Sequence, residues 1–101
     1  MAITYQSGSV YTDTTGALTA TRSKVSCIIF TTSSAGDSFT LRDGTSGSDP
    51  IKIIVKHNTA TNTYVIDLSS NPLVFNEGIY LSALSASCHL TIVVTSQGAS
   101  N

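Results

Sequence analysis

Apolar and polar residues alternate along most of the chain, in short segments with a period of two. In Ser38–Arg42, for example, Phe39 and Leu41 alternate with polar neighbours. This period places successive side chains on opposite faces of an extended strand. No window keeps apolar residues at helical spacing over three turns. The pattern therefore predicts strands that have one buried face and one solvated face.

Turn-forming residues interrupt this pattern at intervals of about ten residues. The longest interruption separates Ser38–Arg42 from the alternating segment 51–56, in which Ile51, Ile53 and Val55 are predicted to share the buried face. Asp43-Gly44 tolerates positive φ, and Pro50 fixes the chain before the second strand. From residue 17 onward we count seven or eight short strands. The chain is predicted to be all-β, a single antiparallel β-sandwich or small jelly-roll-like barrel.

Two segments depart from simple alternation. Residues 25–32 are apolar on both faces, so this strand is expected at the centre of a sheet or against another subunit. Residues 1–16 contain few large apolar groups and are predicted to form an extended N-terminal arm, with residues 17–101 as the sandwich. Deleting such an arm would leave a folded domain. The alternative is an N-terminal strand on the chain's own sandwich. The candidate interface residues are Ile3, Tyr5, Val10, Tyr11, Ile28 and Phe30.

The composition supports a β protein that contacts other chains. Charged residues make up only 11%, against about 25% in an average protein, whereas the chain contains 16 Ser and 15 Thr. Threonine suits strands because it is β-branched. A surface with few lysines and glutamates also lacks the charge that normally discourages sheet edges from pairing.

Several function classes are disfavoured. The net charge is -1 and the five basic residues are scattered, so a nucleic-acid partner is not expected. No apolar run approaches the roughly 20 residues that cross a bilayer, and the N-terminus does not resemble a secretion signal. We therefore expect a chain made and assembled in a cytoplasm, without a membrane partner.

The two cysteines, Cys27 and Cys88, are spaced as in immunoglobulin domains, where a disulfide joins the two sheets. The chain has no Trp, however, and Ala86 stands where such domains carry a Tyr. We predict two buried free thiols, because cysteine often serves as a small core residue. A disulfide is the alternative.

Candidate catalytic residues are weakly indicated. His57 could pair with Asp67 and activate a serine, but in a serine-rich chain such a combination arises by chance. We predict that His57 is a solvated turn residue and that His89 makes a cross-strand hydrogen bond. No catalytic residue and no enzymatic activity are predicted.

Metal ligands are also weakly indicated. Asp37, Asp43 and Asp49 are six residues apart, and hard cations bind carboxylate oxygens. The compact spacing of a calcium loop is absent, so Asp43 and Asp49 are predicted to cap turns through their own backbone. A calcium ion between these two is the alternative. No zinc-type pair of ligands exists, and no cofactor or metal is predicted.

Three segments carry a resemblance to a known class of proteins: Asp37–Gly44 (DSFTLRDG), Phe75–Ser82 (FNEGIYLS) and Leu90–Val94 (LTIVV). In these segments the chain resembles small virion proteins of tailed bacteriophages, particularly marine and cyanobacterial phages. The resemblance covers roughly residues 25–95, and the first 20 residues carry no matching motif.

This resemblance implies a role similar to that of capsid cement or decoration proteins. Such proteins are β-sandwiches or β-barrels, often trimeric, that sit on the outer shell and clamp neighbouring capsomers. It implies the major capsid protein as partner, a homotrimer and a location on the capsid surface. A tail, fibre or head–tail adaptor subunit is the alternative within the virion, and a carbohydrate-binding module is the alternative outside it.

Overall fold

The computed structural model describes residues 3–6, 8–58 and 62–97, and these ranges contain ten strands and no helix. The strands are β1 (Ile3–Gln6), β2 (Ser9–Thr12), β3 (Gly16–Thr19), β4 (Ser23–Thr31), β5 (Ser38–Asp43), β6 (Ile51–Lys56), β7 (Thr63–Asp67), β8 (Leu73–Phe75), β9 (Ile79–Leu84) and β10 (His89–Gln97). The prediction of an all-β chain is confirmed. Strands β3 to β10 correspond to the alternating segments of the sequence. Within the described ranges no helix could span a membrane.

The strands form two antiparallel sheets that pack face to face as a sandwich. The larger sheet has the order β1-β2-β10-β4-β7, and β8 also pairs with β4, beyond the end of β7. The smaller sheet has the order β3-β9-β5-β6. The last strand, β10, therefore lies at the centre of the larger sheet, where it pairs with β2 from the start of the sequence and with β4.

The hydrophobic core lies between the sheets. Phe30 of the larger sheet meets Phe39 of the smaller sheet edge to face, with ring centroids 4.8 Å apart. Leu41, Leu81 and Ile92 are completely buried beside them. Each such side chain contributes about 1.5–3 kcal/mol relative to an exposed one. Among the described residues, every buried polar side-chain atom has a hydrogen-bond partner.

The predicted interface residues of β4 belong to this core. Ile28 and Phe30 are 0% exposed, so they contact the chain's own smaller sheet and cannot contact another chain. These side chains are buried because β4 lies between β10 and β7 in the larger sheet and its inner face is turned toward the core. The sequence predicted that this strand lies either at the centre of a sheet or against another subunit. The structure shows it at the centre of a sheet.

The predicted N-terminal arm is corrected. β1 and β2 form a hairpin, and β2 pairs with β10, with Val10 opposite Ile92. Val10 is 3% exposed, and Ile3 packs against the core. The described residues of the first sixteen are thus part of the sandwich, because Val10 and Thr12 complete the inner face of the larger sheet. Tyr5 lies in β1, but its side chain is outside the described part.

The alternation is right for β10 and partly wrong for β6. Leu90, Ile92 and Val94 alternate with Thr91 and Val93 in the sequence, and all three are buried. Ile51, predicted to be buried, is 50% exposed. A register shift between β5 and β6 leaves Lys52 without a partner residue on β5, and Ile51 lies opposite the outward-facing Arg42. Such bulges break the two-residue period.

Candidate functional site

The residues of the weak catalytic hypothesis make separate local contacts. His57 directly follows β6, and its ring stacks on Tyr64 of β7 with centroids 3.2 Å apart. Asp67 accepts a hydrogen bond from the backbone N–H of Ser69 at 3.0 Å, and this bond lowers the pKa of the carboxyl. Within the described part of the chain, His57 and Asp67 are not joined by a hydrogen bond.

His89 makes the cross-strand contact that was predicted. The Tyr11 hydroxyl on β2 lies 2.7 Å from Nδ1 of His89 on β10, and the two rings stack at 5.9 Å. Tyr11, a predicted interface residue, is 37% exposed. Both side chains lie on the outer face of the larger sheet.

Asp37 closes a turn from inside the protein. Its Oδ2 accepts hydrogen bonds from the backbone N–H groups of Ser33 (2.8 Å) and Ser34 (2.7 Å) and from the thiol of Cys88 (3.1 Å). The Cys88 thiol and then these N–H groups lower the pKa of Asp37 to about 2. Burial, followed by the bond to Asp37, raises the pKa of Cys88. A thiol held in this way is a poor nucleophile.

Asp49 closes the β5–β6 turn in the same manner, as predicted for a capping residue. Its Oδ2 accepts the backbone N–H groups of Thr45 (2.8 Å) and Ser46 (3.0 Å), which lower its pKa. Arg42 supports the same turn by donating from Nη1 to the backbone oxygen of Asp49 at 2.7 Å.

Asp43 does not cap its own turn as predicted. Its two oxygens accept the backbone N–H groups of Asn76 (3.0 Å) and Glu77 (2.8 Å), so it ties the end of β5 to the turn after β8. The three aspartates therefore bind backbone donors in three different turns. Among the described residues, no three His, Cys, Asp or Glu side chains are grouped in a way that could hold a metal ion.

Both cysteines are free, as predicted. Cys88 is 1% exposed in the core. Cys27 is only half-buried, because it alternates with the core residue Ile28 and so lies on the outer face of the larger sheet.

The remaining features of interest are exposed apolar groups on the outer surface of the sandwich. The described residues enclose no pocket. Of the side chains that the structure describes, four large apolar ones are exposed: Tyr11, Ile51, Ile54 and Val65. Tyr11 and Val65 lie on the outer face of the larger sheet, and Ile51 and Ile54 lie on the edge strand β6. Of these four exposed residues, only Tyr11 is among the candidate interface residues that the sequence pattern identified.

We call the outer surface formed by β2, β7, residues 89–93 of β10 and residues 27–31 of β4 the β2–β7 face. Strand register places Tyr11, Thr91, Ile29 and Val65 in one row across it. The neighbouring rows consist of Ser9, Val93, Cys27 and Asp67, and of His89, Thr31 and Thr63. Asp67, at one corner, is the single acidic residue of these rows, and they contain no Lys or Arg. The sequence signal for this face is the second apolar side of β4.

No family model, curated protein or solved structure matches this chain.

Proposed function

We propose that the chain is a non-enzymatic structural protein of a tailed-phage virion, most simply a capsid cement or decoration protein. The observation that carries the proposal is the β2–β7 face, which is nearly uncharged and partly apolar and lies on a surface in which the described residues enclose no pocket. Exposed surface with few charges and several apolar side chains suits contact with another folded protein, whereas small molecules are usually bound in concave sites. The sequence resemblance supplies the expected partner, the major capsid protein.

A cement protein of this type would act by mass action. It binds the assembled shell and not the dispersed subunits, so each bound copy adds its binding free energy to the stability of the shell. It would be recruited to the capsid surface during assembly in the host cytoplasm. Its contacts would be apolar at Ile29 and Tyr11 and hydrogen-bonded at the hydroxyl groups between them.

The size of the β2–β7 face supports a multivalent contact. Four strands spaced by about 4.8 Å and five residues of about 3.3 Å give about 19 Å by 16 Å, or about 300 Å². A standard interface buries about 800 Å² on each partner. One face is therefore too small for tight binding, and a homotrimer would gain affinity by presenting three linked faces to the lattice.

The test introduces a charge in the middle of this face. Thr91, half-buried between Tyr11 and Ile29, is replaced in Thr91→Asp. Ala83→Asp is the matched control, because Ala83 is exposed on the smaller sheet. We expect Thr91→Asp to lose co-sedimentation with purified phage heads by at least about tenfold, since burying an unpaired carboxylate is costly. Ala83→Asp should bind like the unaltered protein.

Equal binding of both variants would contradict the proposed contact. The number of copies in each particle separates the alternatives within the virion. Hundreds of copies on the head fit a decoration protein, whereas tens or fewer fit a tail, fibre or head–tail adaptor subunit. Absence from purified particles would overturn the virion role.

A further inference from the structure

One lateral side of the sandwich is covered incompletely. On the opposite side, β1 lies against β3, where a Cβ added to Gly16 would meet Cδ1 of Ile3 at 3.3 Å. Here the edge strands are β6 of the smaller sheet and β7 of the larger one, and the stacking of His57 on Tyr64 holds them side by side. Their inward-facing residues are only half-buried: Ile53, Val55 and Ile66. Two strand edges and part of the core are thus accessible together.

Two exposed large apolar side chains lie in the middle of these edge strands. Ile54 of β6 is 59% exposed and Val65 of β7 is 65% exposed. On β6, Ile54 stands between the exposed Lys52 and Lys56. On β7, Val65 stands between the exposed Thr63 and Asp67.

We propose that copies of this chain associate by pairing β6 of one copy with β7 of the next, in antiparallel orientation. When Ile54 lies opposite Val65 of the neighbouring copy, Lys52 lies opposite Asp67 and Lys56 lies opposite Thr63. An apolar side chain then lies opposite an apolar one, and a positively charged side chain lies opposite a negatively charged one. Cross-strand pairs of both kinds stabilise a sheet. The same association would bury the inward-facing residues of both strands, which are only half-buried in a single copy.

The geometry of the sandwich permits this pairing. His57, just after β6, contacts Tyr64 near the start of β7, so the two strands run in opposite directions. Rotation about an axis parallel to the strands therefore brings β6 of one copy antiparallel to β7 of the next, with the outer faces of both sheets on the same side. Because each copy offers both edges on one side, the contacts close into a ring. The three-fold ring corresponds to the homotrimer considered above.

The charges favour β7 over β6 as the partner strand. If β6 paired with β6 of a second copy around Ile54, Lys52 would lie opposite Lys56 twice. Like charges directly opposite each other destabilise a strand pair. Lysines on an edge strand are a common protection against such self-pairing.

The first test is the mass in solution by light scattering across a concentration series. We expect a closed oligomer, two or three times the 10.5 kDa of one chain. Lys52→Glu should weaken association by at least about fivefold, because it places a negative charge opposite Asp67. Lys56→Glu is the matched control: it makes the same charge change opposite the neutral Thr63 and should have little effect. A monomer at all concentrations, or equal weakening by both variants, would overturn the proposal.

The second test detects the strand pair directly. Ile54→Cys and Val65→Cys are prepared separately, each with Cys27→Ser, and both positions are exposed enough to accept the change. After oxidation, disulfide-linked dimers should form in the mixture and not in either protein alone. Dimers of Ile54→Cys alone would show β6–β6 pairing and overturn the proposal. Neither test involves Thr91, so failure here leaves capsid binding to be judged separately.

Discussion

At the scale of single residues, the aspartates do more for the turns than their spacing in the sequence suggests. Asp37 and Asp49 each accept two backbone N–H groups from the residues three and four positions before them. The sequence indicated capping for Asp49, since such turns are local. The partners of Asp43, which are 33 and 34 residues away, could not be predicted, because they depend on how β5 and β9 pair.

Acid should destabilise the protein through Asp37. Its pKa is about 2 in the folded chain and ordinarily 3.8, so below about pH 4 the unfolded chain binds more protons. The stabilisation is therefore complete above pH 4 and is lost as the pH falls toward 2. Urea unfolding of the unaltered protein and of Asp37→Asn at pH 5 and pH 3 measures it. We expect the loss between these pH values to be smaller in Asp37→Asn, and an identical loss would contradict the assignment.

Gly78 should not tolerate a side chain. Its φ is +144°, and a Cβ would lie 2.7 Å from the backbone oxygen of Thr19. We expect Gly78→Ala to lower the free energy of unfolding by about 2 kcal/mol or more, from backbone strain and this clash. Gly47→Ala is the control, because the nearest atom to its Cβ is 3.8 Å away. Its effect should stay within about 0.5 kcal/mol. Similar urea midpoints for the two variants would contradict this account.

At the scale of strands, alternation was a sufficient guide in β5 and β10, whose inward residues are large and apolar. It failed for the N-terminal hairpin because one inward position is a threonine. Thr12 is 0% exposed. Its Oγ1 donates a hydrogen bond to the backbone oxygen of Thr14 and accepts one from the backbone N–H of Thr14. A buried threonine with a local hydrogen-bond partner looks like a solvated residue in the sequence.

Removal of the N-terminal hairpin should therefore unfold the protein or weaken it severely, contrary to the expectation for a separate arm. Deleting residues 1–12 removes Val10 from the core and exposes the edge of β10, including Ile92. The loss of Val10 alone costs about 1.5–3 kcal/mol. We expect a fall of several kcal/mol in urea unfolding. Deletion of residues 1 and 2 is the control, and full stability of the longer deletion would contradict the pairing of β2 with β10.

At the scale of the whole molecule, the two sheets expose different surfaces. The larger sheet presents the nearly uncharged β2–β7 face, whereas the smaller sheet carries Lys52, Lys56 and Arg42 on its outer side. The sequence pattern indicated that one strand was apolar on both sides. It could not indicate which side faced the core, because that depends on the packing of the smaller sheet against β4.

The lysines of β6 should keep the molecule from aggregating. With both lysines replaced by threonine, β6 contains four Ile or Val residues and two Thr, and in an unassociated copy its outer edge is unpaired, a pattern prone to edge-to-edge pairing. We expect Lys52→Thr combined with Lys56→Thr to form large aggregates, measured by light scattering and thioflavin fluorescence at neutral pH. Arg22→Thr with Lys24→Thr removes the same charge away from this edge and should stay dispersed. Because both pairs shift the net charge from -1 to -3, equal aggregation would point to overall charge and contradict the role of the edge.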